Sequence, residues 1–200
     1  MDSKNNKIKN VVFDLGNVVL AATPAIVLDD MNLTRERYSK IKSKFFTNWD
    51  KLDLGYETLE EHLKASNLNV TLQERERLIN YYKYRPFNTH VISLMRTLKD
   101  KGYGIYILSN NNKQASEYLK SLYIFKFVDG FIMSCDYNII KPDKRIYQKL
   151  FSQFNLNPNE CFFVDDKVEN IEAGKELGMP GYVMDADKQD FEQLVTLIIE

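Results

Sequence analysis

Short apolar runs recur along the chain, separated by longer stretches with helical period. The runs are Asn10–Leu15, Tyr103–Ser109, Gly130–Ser134, Glu160–Asp165 and Gly181–Met184. Each is short and rich in β-branched or aromatic residues, which favours strand over helix. They lack an in–out alternation, as expected of parallel strands covered on both faces. Between them, His90–Lys101 places Val91, Leu94, Met95 and Leu98 on one stripe, with Gly102 as a C-terminal cap. Arg145–Phe154, Glu169–Leu177 (followed by Gly178) and Phe191–Ile199 read the same way, the last grouping Phe191, Leu194, Val195 and Ile198. Strand–helix alternation of this kind predicts an open, doubly wound α/β sheet.

One long stretch breaks the alternation. From Ala21 to Arg85 there is no convincing strand, only the helical patterns Thr34–Phe46, Leu59–Ala65 and Leu72–Tyr82. Thr58-x-x-Glu61 and Thr71-x-x-Glu74 are capping boxes that mark two helix starts. A helical insertion of about 65 residues is too long for a simple crossover and suggests a lid on the core.

Composition narrows the class. Apolar residues make up 44% and aromatics 12%, enough to bury a sizeable core. The 27 Lys and Arg against 28 Asp and Glu leave a net charge of -1, so no field is available to hold a polyanion and nucleic-acid binding is not expected. No run is long and apolar enough for a membrane helix. The polar stretch Met1–Lys7 has no apolar segment or cleavage site and reads as a frayed tail rather than a signal peptide. Cys135 and Cys161 have no metal-ligand spacing and read as reduced thiols packed in strands, which fits a cytoplasmic setting.

In such sheets the ligand sits beyond the carboxyl ends of the strands. Asp14 ends the first run, Ser109 the second and Asp165-Asp166 the fourth, while Lys141-Pro142 precedes a helix. Asp14, Asp165 and Asp166 cannot share one crevice without a cation, because like charges at close range repel. An all-oxygen ligand set suits Mg²⁺. Lys141 and Ser109 would then face an anion held against the metal. These are the components of phosphoryl transfer to an aspartate.

The segments Phe13-Asp14-Leu15-Gly16-Asn17-Val18-Val19, Ile107-Leu108-Ser109-Asn110, Ile140-Lys141-Pro142-Asp143 and Phe163-Val164-Asp165-Asp166-Lys167-Val168-Glu169-Asn170 resemble the four ordered motifs of the haloacid dehalogenase (HAD) superfamily. The insertion lies where that family's subfamily IA carries its helical C1 cap, and the Leu-Gly-Asn form of the first motif is similar to that of glucose-1-phosphate phosphatases. The resemblance implies a Rossmann-like core over 8–20 and 86–200, a cap over 21–85, and a parallel sheet ordered fifth, fourth, first, second, third. It further implies Asp14 as nucleophile and Mg²⁺ ligand, the Gly16 carbonyl and Asp165 as further ligands, and Asp166 at the metal, holding its bound water or orienting a basic partner. Ser109 and the Asn110 N–H would contact the phosphoryl oxygens, Lys141 would neutralise charge, and Asn170 would support the metal loop.

One position departs from the family pattern. Phosphatases of this family usually carry a second Asp two residues after the nucleophile, where this chain has Gly16. General acid–base help is worth about 10²–10⁴-fold. Three readings follow. The substrate, such as an anomeric sugar phosphate, needs little protonation of its leaving group; another group, from the cap or a bound water, replaces the acid; or activity is residual. The first is preferred and predicts rates that depend steeply on leaving-group pKa. Asn17 either contacts phosphate through its N–H or shapes the turn; Trp49 is a candidate to face substrate; His62 and His90 read as structural or solvated. The expected activity is therefore Mg²⁺-dependent hydrolysis of a small phosphorylated metabolite by a monomer or weak homodimer. The alternatives are a metal-independent 2-haloacid dehalogenase, disfavoured by the Asp165-Asp166 pair beside a carboxylate substrate, and a non-catalytic binding protein of the same fold.

Overall fold

In a computed structural model the described residues are 8–21, 24–185, 194 and 196–198. The five apolar runs form the strands β1 (Asn10–Phe13), β2 (Gly104–Ser109), β3 (Gly130–Met133), β4 (Cys161–Asp165) and β5 (Gly181–Val183). They make one parallel sheet in the order β3-β2-β1-β4-β5, the order expected.

Alternate residues of each strand bury on opposite faces. Val11 and Phe13 pack with Ile105, Ile107 and Val164 on one side, against Val91, Met95 and Leu98 of a helix at Thr89–Asp100. Val12, Leu108 and Phe163 point the other way, onto Ile146, Tyr147 and Leu150 of a helix at Lys144–Phe154 and Ile171 of one at Val168–Lys175. Two apolar faces explain why the strands read as continuous hydrophobic runs. Leu194 and Ile198 are helical and buried against the first face, whereas Phe191 and Val195, predicted on the same stripe, lie outside the described residues.

Between β1 and β2 the chain forms the helices α1 (Arg35–Phe45), α2 (Asp50–Asp53), α3 (Leu59–Ala65), α4 (Leu72–Ile79) and α5 (Tyr81–Tyr84) before the Thr89–Asp100 helix, α6. They surround their own cluster of Ile41, Phe45, Leu52, Leu59, Leu78 and Tyr81. Both predicted capping boxes form. The stretch Leu72–Tyr82 is not one helix: Asn80 leaves helical geometry at φ -116°, ψ 18° and caps α4 before α5 begins. The sequence reading also lacked α2 and the helix α7 (Lys113–Ser121) after β2, which Asn112 caps by accepting from the Ala115 N–H. The Lys144–Phe154 and Val168–Lys175 helices follow as α8 and α9.

Candidate active site

Register brings the site together. Phe13 pairs with Ile107 on one side and Val164 on the other, so Asp14, Ser109 and Asp165 emerge at one edge of three adjacent strands. Lys141 reaches them from the loop after β3. Its Nζ donates to Asp14 Oδ1 at 2.7 Å, Asp165 Oδ2 at 2.5 Å and the Leu108 carbonyl at 3.0 Å, using all three ammonium hydrogens. The loop is clasped to β2 by a reciprocal pair: Asn110 Nδ2 donates to the Lys141 carbonyl, and the Lys141 N–H to Asn110 Oδ1.

Asp165 is fully buried and accepts three hydrogen bonds, leaving one carboxylate lone-pair site open. Its Oδ1 accepts from the Lys167 N–H at 2.9 Å and from Asn170 Nδ2 at 2.8 Å. Tyr147 in turn donates to the Asn170 carbonyl. Asp166 accepts from Asn17 Nδ2 at 2.8 Å, and Asn17 stands at φ 56°, a left-handed conformation that asparagine tolerates. The Asn17 side chain therefore holds Asp166 across the turn. Asp14 Oδ2 accepts no hydrogen bond among the described residues. A Cβ built at Gly16 would lie 3.5 Å from that oxygen, an ordinary contact, so space does not dictate glycine there.

The electrostatics follow from burial. Desolvation pushes the Asp14 carboxyl up to about 6; Lys141 opposes the shift, while Asp165 and Asp166 add to it. Burial alone would pull the Lys141 ammonium down, but Asp14 and Asp165 outweigh it and hold its pKa above the usual lysine value. One carboxylate oxygen from each of Asp14, Asp165 and Asp166 lies within 4.8 Å of the others. Three hard oxygen donors crowded this way fit a small divalent cation, which would relieve the mutual repulsion that raises Asp14.

A cavity of about 160 Å³ opens above these groups. Asp14, Gly16, Asn17, Ser109, Asn110, Lys141 and Asp166 line its floor, with Asn170 beside them, and Trp49 lines the wall from the helical layer. Every candidate from the sequence thus borders the cavity except Asp165, which lies beneath it in contact with Lys141. Trp49 spends its one polar hydrogen on the Phe45 carbonyl and packs its ring on Tyr81 at 5.0 Å. His62 is also inside the helical layer, between Glu57 and the Phe45 carbonyl, and is structural.

Sequence reasoning missed Asp53, Tyr81, Arg85, Asn111 and Lys167, which share the lining. Asn111 and Lys167 adjoin motif residues and could have been found by proximity. Arg85 ends the insertion and is a half-buried cation whose pKa desolvation lowers, with Tyr81, Asp14 and Asp166 opposing that shift. Asp53 and Tyr81 carry no local signal. Only folding of the helical layer brings them over the strand ends.

Residues 8–178 match the haloacid dehalogenase-like hydrolase family. Among relatives, a sesquiterpene phosphatase of Aspergillus oryzae is 26% identical over 86% of this chain and 88% of its own length. A D-ribitol-5-phosphate phosphatase of Bacteroides thetaiotaomicron is 24% identical, with 96% and 98% covered. An (S)-2-haloacid dehalogenase of Burkholderia cepacia is 28% identical over 70% of this chain and 62% of its own. In fold, the chain is similar to a Bacteroides thetaiotaomicron HAD family enzyme crystallised with magnesium and inorganic phosphate, at TM-score 0.71, 20% identity and 94% and 98% coverage.

Proposed function

The chain belongs to the haloacid dehalogenase-like hydrolases, and from that premise we propose that it hydrolyses a small phosphomonoester through an aspartyl-phosphate on Asp14, with Mg²⁺ required. The observation that carries this reading is the state of the Asp14 carboxylate: Oδ1 is held by Lys141 while Oδ2 accepts nothing among the described residues, at the floor of a cavity ringed by donors. A carboxylate oriented through one oxygen and open at the other is arranged to attack. The two phosphatases among the relatives, and the magnesium and phosphate bound by the similar structure, support the substrate class and the metal.

In this reading Asp14, Asp165, Asp166 and the Gly16 carbonyl hold Mg²⁺. The ion supplies charge neutralisation between the carboxylates and the phosphoryl group. Asp14 attacks phosphorus and the bond to the leaving oxygen breaks. Ser109 and the Asn110 N–H bind the phosphoryl oxygens, and Lys141 offsets their charge and that of Asp14. Water then attacks the acyl phosphate, releasing inorganic phosphate and restoring Asp14. Residues 21–85 act as a C1 cap over a core of 8–20 and 86–200, excluding bulk water, with Trp49 on the substrate side.

Hydrolysis of an activated aryl phosphate with Mg²⁺ tests this. Asp14→Asn is expected to lower kcat by about 10³-fold or more. Turnover equal to wild type would overturn the proposal. The dehalogenase relative makes 2-haloacid hydrolysis the second reading. Against it, Asp166 lines the cavity with a carboxylate that would repel a carboxylate substrate in the absence of metal. Halide release from a 2-haloacid in EDTA would reverse that order.

A further inference from the structure

A phosphatase acting on ordinary esters needs a proton for the leaving oxygen, and Gly16 cannot supply it. We propose that Asp53, delivered by helix α2, is the general acid and base of this site. The inference rests on the phosphatase reading and adds to it a catalytic residue from outside the four motifs.

The cavity leaves few other candidates. Its carboxylates are Asp14, Asp53 and Asp166. Asp14 is taken by Lys141 and Asp166 by Asn17. The Asp53 carboxyl, by contrast, accepts no hydrogen bond among the described residues, while its backbone is firmly held. Ser134 Oγ donates to the Asp53 carbonyl at 2.5 Å, and Asn138 Nδ2 donates to the Leu54 carbonyl at 2.6 Å. Gly55, at φ +74°, lies so near Cys135 that a Cβ would stand 2.8 Å from its carbonyl oxygen. Three contacts to the loop after β3 therefore fix α2 on the core, and Asp53 borders the same cavity as Asp14 and lies within electrostatic reach of Asp14 and Lys141. Tyr81, the other neutral acid in the lining, is buried, its pKa is driven far up by desolvation, and its hydroxyl accepts from Asn112.

Charge around Asp53 suits the role. Burial raises its carboxyl to about 7, with Lys167 opposing, Asp50 and Asp14 adding, and Lys141 opposing again; Tyr81 also lies within its electrostatic reach. An acid titrating near neutrality is well matched to giving and regaining a proton. As the bond between Asp14 and phosphorus forms, the Asp53 O–H proton passes to the leaving oxygen and the alcohol departs. The Asp53 carboxylate then takes a proton from the attacking water. Phosphate is released, Asp14 is regenerated and Asp53 is again protonated, so one ester and one water become one alcohol and one phosphate.

The test compares p-nitrophenyl phosphate with propyl phosphate, using wild type, Asp53→Asn, Asp53→Glu and Asp14→Asn with Mg²⁺. Wild-type kcat/KM should vary by less than about 10²-fold between the two esters, because the alkoxide leaves protonated. Asp53→Asn should lose less than about tenfold in kcat/KM on the aryl ester and about 10²–10⁴-fold on the alkyl ester. It should also show a burst of one nitrophenolate per enzyme, because Asp14-phosphate then waits on unassisted water. Asp53→Glu should recover part of the alkyl activity. Equal losses on both esters, or a wild type that is active on the aryl ester and inert on the alkyl one, overturns the Asp53 assignment; the wild-type comparison can still overturn it if a variant fails to fold. Wild-type turnover by Asp14→Asn would instead overturn the phosphatase reading, and the Asp53 assignment with it.

Discussion

Asp53 should also reveal itself in stability. Its carboxyl titrates at about 7 in the folded protein against 3.8 in an exposed reference. Between those values the folded chain binds more protons than the unfolded one, so stability falls as pH rises through this window and levels off above it. Asp53→Asn cannot ionise and escapes that loss. In EDTA its Tm relative to wild type should therefore climb from pH 4 to pH 8, by about 2–4 °C for each 1 kcal/mol recovered. Scanning calorimetry checks this; a difference independent of pH would count against an ionisable Asp53 raised by desolvation. Cys161 offers a second test at this scale. Burial pushes its thiol up to about 12, so in the native protein it should stay unmodified by a thiol reagent at pH 8 and react only on unfolding. The residues that could be picked from the sequence, Asp14, Ser109, Lys141 and Asp165, are those whose neighbours in the chain announce a strand end or a short motif. Asp53 sits in a four-residue helix with no such flank.

Helices show the same division. The capping boxes of α3 and α4 were legible because both partners lie within one turn: Thr58 accepts from the Glu61 N–H, and Glu61 Oε2 from the Thr58 N–H. Replacing Thr58 by Ala should cost about 1 kcal/mol and lower Tm by a few degrees. What joins α1 to α4 was not legible. Arg37 donates through Nε and Nη2 to the two oxygens of buried Glu74, and through Nη2 to the Asn69 carbonyl. Arg37→Ala leaves that carboxylate only its Thr71 N–H donor and should cost more than the Thr58 cap, about 1–3 kcal/mol by thermal melting. Helix α7 escaped notice because its buried face carries the polar Ser116, within 3.4 Å of Cys135 Sγ, beside Ala115 and Leu119. The break at Asn80 immediately precedes a residue with distant partners. Tyr81 packs on Trp49 and accepts from Asn112, contacts that no local pattern around Asn80 encodes.

At the scale of the molecule, a net charge of -1 accompanies a local gathering of both signs at the strand ends. Three carboxylates converge at one edge of the sheet, with Lys141 among them and Arg85 and Lys167 on the rim. If this edge takes Mg²⁺, binding stabilises only the folded chain, by about 2.7 kcal/mol at one hundred times Kd. Tm should rise with Mg²⁺, return with EDTA, and rise less in Asp165→Asn. Unchanged melting in millimolar Mg²⁺ would argue against the metal. Among the described residues no helix is long and apolar enough to cross a membrane.

The amino-acid sequence by itself marked the five strand runs, most of the helices and the four segments that meet at the cavity. These are set by periodicity, caps and strand-end residues, all interactions among near neighbours in the chain. The tertiary structure alone decided which groups close the cavity above Asp14. Register aligned Asp14 with Asp165, Lys141 bridged them across 127 residues of chain in one direction and 24 in the other, and the packing of α2 on the core carried Asp53 over the strand ends. Such meetings depend on how whole surfaces fit once elements exist, and no local pattern encodes them.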